Sequence, residues 1–146
     1  MEQILYGAPV AKQLDEISLK IFQEVKSNNK TPHMTAITVG DNPASLLYVS
    51  RKKEKAEELG VEFNWIKLDK NTSQEKLKEL VETESKNTDG LIIQLPLPDH
   101  LSSEDVINCI PPDVDVDGLT SYNLGGLFSN EYKCNQHLML SYLALY

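Results

Sequence analysis

Tyr48 and Lys52 stand four residues apart in the segment VGDNPASLLYVSRKKEKAEELG, with Ser45 one turn before Tyr48. On a helix the three side chains share nearly one face. A tyrosine beside a lysine combines an aromatic platform with a group that can move a proton. A lysine acts as a base near neutral pH where burial and like charges disfavour its cation. Arg51, Lys53 and Lys55 are the like charges nearest in sequence. On spacing alone, an exposed basic helix face with Tyr48 half buried is the commoner outcome for such a pair.

Gln94 interrupts the apolar run Gly90-Leu-Ile-Ile93 just before Leu95-Pro-Leu-Pro98. Its amide can donate to one group and accept from another. It can equally satisfy the local backbone at a strand end. Leu95–Pro96 is a candidate for a cis bond. Further on, Asp113, Asp115 and Asp117 alternate with valine ahead of Gly118. In an extended segment the three carboxylates share one side. The run does not fit a calcium loop, because no glycine or glutamate falls in register. A carboxylate beside glycine suits a bidentate bond to an amidine-like ligand edge, and a solvated acidic loop competes with that reading. His33, His100 and His137 are scattered, and surface histidine is the expectation for each. Cys109 and Cys134 match no metal-ligand spacing and read as reduced thiols. No metal site is expected. No G-x-G-x-x-G, P-loop or G-x-S-x-G occurs, and Gly125-Gly126 reads as a turn.

These residues need elements to hold them. Val10, Leu14, Ile17, Ile21 and Val25 recur at helical spacing, with Pro9 in the first turn and Asn28, Asn29 and Pro32 at the end. Met34–Val39 reads as a buried strand closed by Gly40. Asp41-Asn42-Pro43 then opens a helix that Gly60 stops. Val61–Leu68 is a second strand. Thr72 with Glu75 matches a capping box ahead of Leu77, Leu80 and Val81. Gly90–Ile93 is a third strand. Ser102 with Asp105 opens a short helix carrying Val106, Ile107 and Ile110, which Pro111-Pro112 ends. Alternating helix and strand predicts an α/β domain, with a mainly parallel sheet flanked by helices. Ligands in such sheets sit beyond the carboxyl ends of the strands, so the loops after Val39, Leu68 and Ile93 are the places to look.

Composition narrows the function classes. The 146 residues suit one domain. A formal charge of −8 disfavours binding to nucleic acid through its phosphates. No apolar run is long enough to cross a bilayer, and the first residues lack a signal-peptide pattern. A cytoplasmic protein with neither nucleic acid nor membrane as partner is the expectation.

Three motifs in order, VGDNPASLLYVSRKKEKAEELG, DGLIIQLPLPDHL and PPDVDVDGLTSYNLG, resemble one family over roughly residues 1–130. It is the bifunctional methylenetetrahydrofolate dehydrogenase/methenyltetrahydrofolate cyclohydrolase family, in its N-terminal catalytic domain. The resemblance implies that Tyr48 stacks on the aminobenzoyl part of a folate and that Lys52 is the catalytic group. It implies that Gln94 tunes Lys52, that Asp117 holds the pterin ring and that Ser45 lines the same site. It also implies one-carbon metabolism linked to purine biosynthesis, with tetrahydrofolate derivatives as ligands and NADP as the cofactor of the complete enzyme. A homodimer is expected too.

Two departures stand beside these expectations. The family's P-C-T-P-x-G segment is replaced by Lys133-Cys-Asn-Gln-His-Leu-Met139, and the nicotinamide-binding Rossmann domain does not follow. The expectation is therefore a catalytic domain over residues 1–132 and an atypical tail over 133–146, in the manner of a truncated or frame-shifted product. Such a chain binds no nicotinamide cofactor alone, and its Leu138–Tyr146 stretch forms an exposed apolar patch. A stand-alone folate-binding module without turnover is the alternative.

Overall fold

A computed structural model describes residues 7–129. Expectations for Cys134, His137 and everything from Lys133 onward lie outside the described residues. The elements run in the order α1 (Gly7–Ser27), β1 (His33–Val39), α2 (Pro43–Leu59), β2 (Glu62–Leu68), α3 (Gln74–Glu84), β3 (Gly90–Ile93), α4 (Ser103–Ile107) and α5 (Ser121–Ser129). The three strands form a parallel sheet in the order β2-β1-β3. The α/β class and its flanked parallel sheet are as expected.

The strand period of two sorts the core into two layers. Met34 and Ala36 of β1, Phe63 and Trp65 of β2, and Ile92 of β3 pack with Val49, Ala56 and Leu59 of α2 and Phe22 of α1. On the other face, Ile37, Val39, Leu91 and Ile93 pack with Leu77 and Val81 of α3 and Val106 of α4. The loops that follow β1 and β3 therefore emerge at one end of the sheet, with α2 leaving from that end.

Local signals fix α2. Asn42 Oδ1 accepts from the backbone N–H of Ala44 and Ser45 at 3.0 and 3.1 Å, and Pro43 fills the first turn. Gly60 ends the helix at φ +76°, a left-handed conformation that favours glycine, and its N–H caps the Ala56 and Glu57 carbonyls. Lys55 Nζ reaches Asp15 Oδ2 at 2.6 Å and ties α2 to α1.

Four expectations need correction. The helix after β2 is capped by Ser73, whose Oγ accepts from Lys76 N–H, and not by Thr72. Asp69 turns the chain first, taking the Asn71 N–H on its side chain and the Thr72 N–H on its carbonyl, which leaves Thr72 buried in the turn. The apolar stripe of α1 is only partly covered. Phe22 makes its core contact, while Val10 and Ile17 stay exposed. Gly125 and Gly126 lie inside α5 rather than in a turn. Side chains fix the first turn of that helix, with Thr120 Oγ1 accepting from Asn123 N–H, and this outweighs the weak propensity of glycine. Finally, the Asp113–Asp117 segment is a series of turns, not an extended strand, so its three carboxylates do not share a side. Of the histidines, His100 is exposed and donates Nε2–H to the Thr72 carbonyl, and half-buried His33 donates Nδ1–H to that of Asn87.

Candidate active site

Lys52 lies in the middle of α2 and is only 4% exposed. Its Nζ donates to Gln94 Oε1 at 3.0 Å, across 42 residues of sequence. Gln94 follows the last residue of β3, where its backbone N–H still bonds to Ile37 of β1. Its side-chain amide is oriented from both ends. Oε1 faces Lys52 and Nε2 donates to the Leu95 carbonyl at 2.9 Å. That carbonyl also accepts from Ser45 Oγ at 3.2 Å. Ser45, Lys52 and Gln94 thus form one hydrogen-bonded group between α2 and the end of β3. The Leu95–Pro96 peptide beside it is cis, as the sequence suggested.

The spacing of Ser45, Tyr48 and Lys52 resolves differently for each residue. Ser45 and Lys52 are buried, whereas Tyr48 is 48% exposed. Tyr48, one turn from each on α2, leaves its ring open to solvent. The neighbouring cations turn elsewhere. Lys53 pairs with Glu57 at 3.7 Å, and Lys55 pairs with Asp15 and Glu58. The hydrogen bond to Asp15 raises the pKa of Lys55 above the ordinary lysine value. Burial opposes the rise, and the charges of Asp15 and Glu58 support it. The like charges next to Lys52 in sequence are thus largely matched by carboxylates.

Asp117 approaches from the far side of β3. Leu91 N–H bonds to the Val114 carbonyl at 2.7 Å, and Leu91 pairs with Asp115 in a parallel bridge. Beyond that single bridge the chain turns, and it brings Asp117 beside Ile93, the residue before Gln94. Asp117 is half-buried and lines a small cavity with Leu91, Ile93 and Ile110. Asp113 is exposed. Asp115, which the sequence did not distinguish from its neighbours, is 2% exposed and accepts three hydrogen bonds. The only sequence sign of its role was its place two residues before Asp117, ahead of a Thr-x-x-Asn helix start.

Pyrophosphate sites use open N–H groups at a helix start. Here the starts of α2, α3 and α4 are already capped by Asn42, Ser73 and Ser102. Among the described residues no group of three potential ligands could hold a metal, and no helix is long and apolar enough to cross a membrane.

A parallel α/β domain with a buried lysine–glutamine pair, an exposed tyrosine and a carboxylate at the strand ends defines a class of small-ligand enzyme domain. The family model of the tetrahydrofolate dehydrogenase/cyclohydrolase catalytic domain matches residues 5–117, and the chain belongs to that family. It is 39% identical over 137 residues to the bifunctional protein FolD of Anaplasma marginale, covering 92% of this chain and 46% of that one. The crystal structure of the bifunctional methylenetetrahydrofolate dehydrogenase/cyclohydrolase FolD from Campylobacter jejuni matches with a TM-score of 0.79 at 33% identity, over 83% of this chain and 44% of that one. The Trypanosoma brucei enzyme, complexed with NADP and an inhibitor, matches with a TM-score of 0.80 at 26% identity, over 90% of this chain and 46% of that one. The chain spans about half the length of the curated relatives it matches.

Proposed function

We propose that this domain binds a methenyltetrahydrofolate and adds water to its methenyl carbon, after which one C–N bond of the bridge breaks, its electron pair stays on the nitrogen, and the ring opens to formyltetrahydrofolate with net release of one proton. The observation that carries this reading is the buried Lys52 Nζ held on Gln94 Oε1 at 3.0 Å, with Tyr48 exposed one turn earlier on the same helix. Lys52, in its amine form, takes a proton from the attacking water. Gln94 fixes the nitrogen that receives it, and Ser45 steadies Gln94 through the Leu95 carbonyl they share. Tyr48 offers its exposed ring to the aminobenzoyl group. Asp117 accepts from the amide and amino N–H groups of the pterin, a bidentate arrangement that orients without forming covalent bonds.

The family's relatives also carry a dehydrogenase activity, and NADP accompanies it in the Trypanosoma brucei structure. For that oxidation this chain supplies the folate side. The capped helix starts give no support to nicotinamide binding by the described residues. The second reading is a folate-binding module without turnover. A catalytic domain over residues 1–132, a homodimer, a cytoplasmic location and a link to purine biosynthesis belong to the same proposal, supported by the family alone.

Calorimetric titration of the chain with 5,10-methenyltetrahydrofolate tests the reading. Saturable binding is expected, weakened by Tyr48→Ala and unchanged by Glu62→Gln at the opposite end of the sheet. Absence of saturable binding, or equal loss in both variants, overturns it.

A further inference from the structure

The loop that carries Asp117 is not part of any helix or strand, so something else must set its position. Asp115 is the residue best placed to do so. Its backbone is fixed to β3 through the parallel bridge with Leu91. Its carboxylate is fixed to the start of α5. Oδ1 accepts from Leu119 N–H at 3.3 Å, and Oδ2 accepts from Thr120 N–H and Asn123 Nδ2–H, both at 2.9 Å. Asn123 also donates to the Pro112 carbonyl at 3.0 Å, closing the loop at its beginning. Gly118, at φ +65°, makes the reversal inside this ring possible.

A buried carboxylate costs free energy unless its oxygens are satisfied. Among the described residues no ion pair supports Asp115. Three N–H donors take that place, and all three lie on the segment that follows Asp117 or on α5. The anion therefore serves to fix both flanks of one residue. We propose that Asp115, clamped by Asn123, is the positioning residue that holds Asp117 beside Ile93 for the pterin edge. The inference rests on the reading of Asp117 given above.

Asp115→Asn tests the clamp with little change in shape. An amide keeps one acceptor and turns an NH2 toward the remaining donors. Two ligands separate the outcomes: 5,10-methenyltetrahydrofolate, which has a pterin, and p-aminobenzoylglutamate, which lacks one. For Asp115→Asn we expect the dissociation constant of the first to rise about tenfold, the scale of one charged hydrogen bond, with that of the second unchanged. Asp117→Asn should do the same, and the double variant should add nothing further. Asn123→Ala, which leaves the carboxylate in place, should weaken the pterin ligand alone to a lesser degree, with thermal unfolding recorded for each variant. Wild-type affinity in Asp115→Asn and Asn123→Ala, with Asp117→Asn weakened, overturns the clamp and spares the reading of Asp117. Equal weakening of both ligands overturns it too, as a general structural role. An inert Asp117→Asn overturns the reading itself.

Discussion

Lys52 and Asp117 are held in place by opposite means. Lys52 projects from the third turn of a capped helix onto a strand end, so two regular elements fix both partners of its hydrogen bond. Asp117 sits on a loop whose shape comes from one buried carboxylate and the N–H groups it collects. The first arrangement tolerates little displacement, which suits a group that must meet a reacting atom. The second fixes a contact point through side chains, which suits recognition of a ligand edge. Removing a group from the first region should therefore change turnover, and from the second, affinity.

The largest effect is expected for Lys52→Met in an enzyme carrying this domain. Hydrolysis of methenyltetrahydrofolate should fall at least about 100-fold, the range of general acid–base catalysis, while the dissociation constant stays near wild type. Loss of affinity in proportion to turnover would erase the contrast between the regions. Asp117→Ala comes next, weakening binding about 10- to 100-fold through one or two charged hydrogen bonds. Exposed Asp113→Ala should stay within about twofold. Matching losses at the two positions would reduce the acidic run to a general field.

Gln94→Ala should lower kcat about tenfold with little change in KM, because it removes one hydrogen bond that orients the lysine nitrogen and leaves the proposed pterin contact of Asp117 in place. A change confined to KM would move Gln94 into the recognition group. The smallest effect concerns the tie between α1 and α2. The pKa of Lys55 is raised by its bond to Asp15, so this tie is fully present below the ordinary lysine value of 10.5 and is lost as pH climbs through the raised value. Asp15→Asn should cost about 0.5–1 kcal/mol at neutral pH and flatten the alkaline decline in urea stability. A decline as steep as in wild type would remove this pair as its source.

The rigid region is readable in the sequence and the loop much less so. Asn42-Pro43 and Gly60 bracket α2 in the chain itself, and strand alternation fixes which residues face it. The helix face of Lys52 and the polar break at Gln94 are therefore visible in the sequence, although spacing alone favours an exposed basic face and only the family motifs single the two out. Their pairing does not, because it depends on parallel register between segments 42 residues apart. The Asp113–Asp117 run misleads for a different reason. Alternation suggests a strand, but the outcome depends on where the N–H donors of residues 119, 120 and 123 fall. That is a three-dimensional fact, and it divides the three acids into one exposed, one buried and one half-buried. The glycines of α5 hide the helix that supplies one of those donors, Asn123.

The central claim is that the groups for water addition lie on α2 and at the end of β3, independent of any nicotinamide site. The most direct test is hydrolysis of preformed 5,10-methenyltetrahydrofolate by the unaltered chain, without nicotinamide cofactor, followed by loss of methenyl absorbance. The account predicts decay faster than in buffer, saturating with substrate and returning to the buffer rate in Lys52→Met. Decay at the buffer rate with saturable folate binding, or acceleration that survives Lys52→Met, would contradict it.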